Sequence, residues 1–408
     1  MTLIKDQELR ERAKKVIPGG MYGHQTVKYF TDDVPQYFAK SKGAYLWDLD
    51  GNKYIDYLCA YGPNLLGYLD SRVESVVQKQ YLLGDCMTGP SAHMVTLAED
   101  FTQMIKHADW AMFCKNGSDA TMIALMCSRA YKGKNKVLIA SGTYHGAQTW
   151  NTPYLTGTTP EDRANIVYFQ YNDLNSLKEA IKSVDGHFAA IFATPFRHEV
   201  FYDQYYVASE YAQECRKLCD EYEALLVVDE VRTGLRLSRD CYWTTEYGVE
   251  PDLTTWGKAI ANGHPISAVL GSEKARLAAE SIFVTGSFWL AAVPMVAAIE
   301  TLKIVRETDY LETMFKNADL LRKGIAEQAT SYGLGVRQTG PSVMAQIMFD
   351  DETEDFKLGK AWTGELSKLG TLFSFYHNMF ITESHTEADI IQTLEYTDEA
   401  FRRLKNSI

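Results

Sequence analysis

A turn, an acid and a lysine stand far apart in this 408-residue chain, and each suits one piece of a shared chemistry. Asn116-Gly117-Ser118-Asp119 follows an apolar stretch and opens a helical one. Helix-terminal N–H groups, a hydroxyl and a glycine that lets backbone approach closely suit a phosphate. A plain helix cap, with Ser118 or Asp119 satisfying the first turn, explains the same residues. Leu225-Leu226-Val227-Val228-Asp229-Glu230 ends an apolar strand in acid, and ligands of parallel sheets sit at strand carboxyl ends. A carboxylate there can hold a protonated ring nitrogen; it can equally cap a helix or bind a metal. In Thr255-Trp256-Gly257-Lys258-Ala259 a lysine sits among small and apolar neighbours. Burial lowers an amine's pKa and makes it a nucleophile toward an aldehyde, whereas most lysines are simply solvated. None of the three decides alone.

These residues need strand ends to hold them. Short apolar runs at Ala111 to Cys114, Val137 to Ala140, Ile166 to Phe169, Ala189 to Ala193 and Leu225 to Val228 alternate with helical stretches. Ala120 to Tyr131 and Tyr206 to Tyr222 are two of those stretches. That alternation predicts an α/β fold, a mostly parallel sheet between helices. A helix over Lys5 to Ile17 stops at Pro18-Gly19-Gly20, and strands around Tyr37 to Phe38 and Ala44 to Trp47 precede a turn at Asp50-Gly51-Asn52. After the apolar helix Val296 to Val305 the pattern is α+β. We therefore expect a large domain over 50–295 and a smaller α+β domain built from 1–49 and 296–408.

Composition narrows the partners. The chain is 46% hydrophobic and 23% charged, with a formal net charge of -12. That balance disfavours nucleic acid and is compatible with a cationic substrate, although solubility alone also explains it. Seven cysteines form no CxxC pair, and no His or Cys cluster completes a metal site. Free thiols, an amphipathic N-terminal stretch without a signal-peptide core and no membrane span lead us to expect a cytoplasmic enzyme.

Taken in order, the phosphate turn, Tyr144-His145-Gly146, Asp229 and Lys258 resemble the class III aminotransferases of the fold-type I pyridoxal-phosphate superfamily. The resemblance covers nearly the whole chain. It includes Val16-Ile17-Pro18-Gly19-Gly20, Trp47-Asp48 before Asp50-Gly51, Tyr61-Gly62-Pro63 through Leu66-Gly67, and Val228-Asp229-Glu230-Val231-Arg232-Thr233-Gly234. The branch it most resembles is that of glutamate-1-semialdehyde aminomutase.

The resemblance implies pyridoxal 5′-phosphate as cofactor and assigns its contacts. Lys258 would bond the cofactor covalently and shuttle the proton between two carbons. Asp229 would keep the pyridine nitrogen protonated, Tyr144 would stack on the ring and Val231 would pack its opposite face. Gly117 and Ser118 would bind the phosphate. A residue of a neighbouring subunit would complete that site, which implies a homodimer; Ser287 is the candidate, with Thr285 as the alternative. His145 is expected to be structural, and Arg236 to brace the turn around Asp229.

Two departures bear on substrate. The aminomutase branch has a carboxylate-gripping arginine after Pro-Gly-Gly, where this chain reads Met21-Tyr22-Gly23-His24-Gln25-Thr26. Tyr22, His24 and Tyr61 then become candidate contacts for a hydroxyl-rich or amine-rich substrate, or simply fill an entrance loop. Thr194-Pro195 replaces the family's Glu-Pro, which makes Arg197 a candidate for a donor's carboxylate and Glu199 for a cationic acceptor. The Pro18–Gln25 and Tyr61–Tyr68 segments most resemble aminosugar transaminases of aminoglycoside antibiotic biosynthesis. That resemblance implies amination of a C6′ carbonyl of a pseudosaccharide, with glutamate as donor. An aminomutase or epimerase, or a general amine or amino-acid transaminase, is the alternative.

Overall fold

The computed structural model describes residues 1–26, 29, 31–184 and 186–407. The chain divides into two compact units: Met1–Asp70 with Val200–Asp203 and Glu312–Ile408, and Ser71–Glu199 with Gln204–Leu311.

The first unit opens with a helix over Ile4–Val16, where Asp6 and Arg10 pair at 2.6 Å. Strands β1 (Phe38–Lys42), β2 (Tyr45–Asp48) and β3 (Lys53–Asp56) run antiparallel, with the 2–3 turn held by Asp48, whose carboxylate accepts from the Asp50 and Asn52 amides.

The second unit is the sheet domain. In chain order it contains β4 (Trp110–Cys114), β5 (Lys136–Ala140), β6 (Ile166–Phe169), β7 (Phe188–Ala193), β8 (Phe196–Arg197), β9 (Tyr205–Tyr206), β10 (Leu225–Asp229), β11 (Leu253–Trp256) and β12 (Ser267–Gly271). Seven of these form one sheet in the order β4-β12-β11-β10-β7-β5-β6, while β8 and β9 make a small hairpin. Six of the seven point the same way, and β12 runs against both of its neighbours, β11 and β4. The central strands β7 and β10 are buried along their whole length, so they read as continuous apolar runs. Strand alternation sorts them between two cores. Leu226, Val228, Ile191 and Ala193 join the core that holds Tyr211, Cys215 and Trp243. Leu225, Val227, Ala190 and Phe192 join the opposite core, with Ala120, Ile123 and Cys127 of the helix Gly117–Lys132.

Back in the first unit, β13 (Val336–Thr339) and β14 (Gln346–Phe349) form a hairpin, and β15 (Thr371–Leu372) runs parallel to β3. The units thus part at 70/71 and 311/312, rather than at the expected 49/50 and 295/296. Pairing with β15 draws β3 and its flanks into the first unit. The helix Ala292–Glu307 belongs with the sheet domain because its apolar surface packs on the helices Ser71–Tyr81 and His93–Met104. Among the described residues, no helix is long and apolar enough to cross a membrane.

Candidate active site

Asp229 is the last residue of β10, and Thr255 is its register partner on the neighbouring β11. That placement gives the carboxylate three partners. Oδ1 accepts from the Thr255 hydroxyl at 2.8 Å and from the Val231 amide at 3.1 Å, while Oδ2 lies 2.8 Å from His145 Nδ1. His145 is fully buried, edge-on to Phe192, and its carbonyl accepts from Thr121 in the first turns of the helix Gly117–Lys132. The role expected of His145 is therefore specific: it fixes one oxygen of the acid.

Lys258 follows β11 after a single glycine, Gly257, and carries φ +46°. A non-glycine residue in that left-handed region costs about 1–3 kcal/mol, a cost tolerated where surrounding structure over-determines it. Its amine is pushed down to about 7, chiefly by burial, then by the Arg232 cation; Asp229 opposes the shift and Arg236 adds to it. Arg232 was not among the expected site residues. Its Nη1 donates to the His198 carbonyl at 3.1 Å, and burial lowers its own pKa to about 10. Arg236 is fully buried, two residues after Gly234.

The helix at Gly117 supplies the fourth element. Asp119 accepts from the Asn116 amide at 3.0 Å, which fixes the cap and leaves the opening N–H groups to point along the helix axis. A Cβ at Gly117 would come within 2.5 Å of Val231 Cγ1, and one at Gly146 within 2.6 Å of Ser118 Oγ. Glycines thus let the helix start, the Asp229 turn and the Tyr144–Gly146 segment close on each other. The Ser118 hydroxyl accepts from the Ala147 amide at 3.1 Å. Tyr144 is half-buried, and burial raises its phenol pKa, with the Arg232 cation opposing.

The remaining candidates make contacts of their own. Arg197 and Glu199 pair with each other against Gly142, and the guanidinium lies over Tyr205 at 5.8 Å. Thr285 and Ser287 are exposed in the segment before the helix Ala292–Glu307. In the first unit His24 stacks on Tyr61 with centroids 4.9 Å apart, whereas Tyr22 is 73% exposed. Tyr376, absent from the sequence-based candidates, joins that pair: its hydroxyl donates to the His24 carbonyl at 3.0 Å and lies 3.3 Å from the Tyr61 hydroxyl. Nothing local in Phe375-Tyr376-His377 signals that contact, which spans more than three hundred residues. Among the described residues, no group of three or more His, Cys, Asp or Glu is placed to hold a metal.

A comparison with known families matches residues 29–395 to the one described as aminotransferase class-III. The chain is 55% identical to the aminopentol aminotransferase of Sphingopyxis macrogoltabida, over 97% of this chain and 94% of that one. It is 31% identical to a 3-aminobutyryl-CoA aminotransferase of Cloacimonas acidaminovorans, over 100% and 99% of the two chains. It is 30% identical to a glutamate-1-semialdehyde 2,1-aminomutase of Desulforamulus reducens, over 98% of each. The solved structure of the PLP internal aldimine form of the FumI protein from Sphingopyxis sp. MTA144 superimposes with a TM-score of 0.97 at 54% identity, covering 99% of this chain and 97% of that one.

Proposed function

The chain belongs to the class-III aminotransferases, enzymes that use pyridoxal 5′-phosphate, and on that premise we propose that it moves the amino group of a hydroxylated amine, of the aminopentol class, to a 2-keto acid. The observation that carries this reading is the 55% identity to an aminopentol aminotransferase across nearly the full length of both chains. The amino-acid sequence supports it: no arginine follows Pro18-Gly19-Gly20, so the carboxylate clamp expected of an aminomutase-like enzyme is missing there. An aminosugar shares this chemistry, hydroxyls around an amine, but the 55% relative favours an aminopolyol over the pseudosaccharide expected from the motifs.

The residues fit the cofactor. The close approach at Gly117 keeps the helix start free of a side chain where a phosphate needs backbone N–H groups. Gly117 and Ser118 would hold that phosphate, Tyr144 and Val231 would flank the ring, and Asp229 would face the ring nitrogen. When bound, the cofactor supplies an electron sink. Asp229, oriented by His145 and Thr255, holds the proton on the ring nitrogen. Lys258, its amine pushed down to about 7, is neutral enough at physiological pH to take a proton from the amine-bearing carbon and would return it to the carbon on the other side of the nitrogen, which the cofactor supplies. Arg197, when released from Glu199, would meet the carboxylate of the keto acid.

The active form is a homodimer. Leu82, Leu83 and Met87, with Phe283 and Phe288, are large and exposed. The two groups flank one junction, where Asp85 accepts from the Ala292 and Val293 amides. Such a surface is unusual on a monomer and flanks Thr285 and Ser287, the candidates for completing a partner's phosphate site.

The test is a panel of aminopolyols, aminosugars, simple amines and amino acids, each with pyruvate or 2-oxoglutarate, read by formation of the matching amino acid. Aminopolyols should head the ranking, with stoichiometric consumption of keto acid. A preference for an aminosugar would restore the earlier expectation, and turnover without keto acid would point to an aminomutase instead.

A further inference from the structure

Trp256, the last residue of β11, is fully buried, and its indole N–H donates to the Thr254 hydroxyl at 2.7 Å. An indole nitrogen only donates, so the hydroxyl accepts there and is free to give its own proton to His107 Nε2, 2.9 Å away. Assigning Nε2 as the bare nitrogen leaves the hydroxyl with one bond accepted and one donated. Burial keeps this imidazole neutral, lowering its pKa to about 4 against the opposing carboxylates of Asp252, Glu250 and Asp109. Alternation along β11 gives its two threonines separate tasks. Thr255 spends its hydroxyl on Asp229, whereas Thr254 and Trp256 share the opposite face.

That face matters because Trp256 stands against the turn that follows Asp229. The Gly234 amide bonds back to the Glu230 carbonyl at 2.8 Å, and a Cβ on Gly234 would come within 2.5 Å of Trp256 Cε3 and 2.9 Å of that carbonyl. The indole edge is thus in contact with the turn that carries Val231 and Arg232. Two residues beyond Trp256 comes Lys258, at φ +46°. A strained residue keeps its conformation only where its neighbours over-determine it. Here one locked side chain lies between the strand that leads to the lysine and the turn that bears Arg232, the cation that acts most strongly on its amine.

We propose that Thr254, oriented by His107, is a positioning residue: by locking the Trp256 indole against Gly234 it sets the spacing between the Lys258 amine and the Val231–Arg232 turn. The inference rests on Lys258 as the cofactor-bearing amine and holds whichever amine is the substrate.

The experiment measures capture of pyridoxal 5′-phosphate by the apoenzyme across pH, beside thermal melting. Thr254→Val keeps the shape of the side chain and removes both hydrogen bonds. It should move the capture midpoint upward by about half a pH unit, because a loosened indole lets Arg232 recede and water approach the amine. In the holoenzyme kcat should fall about tenfold, with KM for the amine little changed. Thr254→Ser, which keeps the hydroxyl, should restore both values. His107→Gln, which keeps an acceptor, should lie closer to wild type than His107→Leu, and this pair carries the test if Thr254→Val does not fold. A lower Tm with midpoint and kcat unchanged, in Thr254→Val or His107→Leu, would show that the network only stabilises the fold and would overturn the inference. Undiminished capture in Lys258→Ala would instead remove the premise, the assignment of the cofactor to that amine, and the inference with it.

Discussion

His145 Nδ1 lies 2.8 Å from Asp229 Oδ2 in a fully buried contact between the loop after β5 and the end of β10. With Thr255 and the Val231 amide on the other oxygen, the carboxylate is held from both sides. Asp229→Asn should lower kcat/KM by about 10²–10³, the scale for losing one preorganised electrostatic contact. His145→Leu, acting only through the acid, should cost kcat about tenfold and alter its pH profile, with KM for the amine little changed. His145→Asn should recover part of the loss. Steady-state kinetics across pH checks all three.

The lowered pKa of Lys258 has a direct readout in cofactor capture by the apoenzyme. Only the neutral amine attacks an aldehyde, so the capture rate should rise as pH passes through about 7 and level off above it. An ordinary exposed lysine would still be gaining at far higher pH. Arg232→Met removes the largest charge contribution and should move the midpoint upward. Stopped-flow absorbance at a series of pH values measures it.

Gly117→Ala drives a methyl group to 2.5 Å from Val231 Cγ1. Overpacking of this kind costs about 1–3 kcal/mol, and here the displaced backbone is the proposed phosphate cradle. Cofactor titration should show weaker binding and thermal melting a lower Tm. Val231→Ala in the same chain should restore part of the binding, and a double-mutant cycle measures that coupling.

The exposed apolar group around Leu83 and Phe288 predicts an assembly. Leu83→Asp with Phe288→Asp should shift the protein from dimer to monomer in sedimentation velocity and weaken cofactor retention, since Thr285 and Ser287 would no longer reach a partner.

Much of the sheet domain was legible because its strands are apolar throughout. The expected run Ile166 to Phe169 coincides with β6, and Leu225 to Val228 falls one residue short of β10. Strands β11 and β12 escaped notice because Leu-Thr-Thr-Trp and Ser-Ala-Val-Leu-Gly carry threonine, serine and glycine within short runs. Yet β11 sets both Thr255 and Lys258. Asp229 and Lys258 could be singled out from local context, a strand ending in acid and a lysine among small residues. Arg232, His107 and Tyr376 could not, because what distinguishes them is a contact partner. The unit boundaries were misplaced for the same reason: the pairing of β3 with β15 joins positions more than three hundred residues apart.

Everything at this site turns on which amine carries the cofactor. Borohydride reduction of the purified holoenzyme, followed by proteolysis and mass spectrometry, traps that link and locates it. The pyridoxyl-phosphate adduct should map to Lys258 alone and disappear in Lys258→Ala; an adduct on another lysine, or its persistence in that variant, would contradict the site described above.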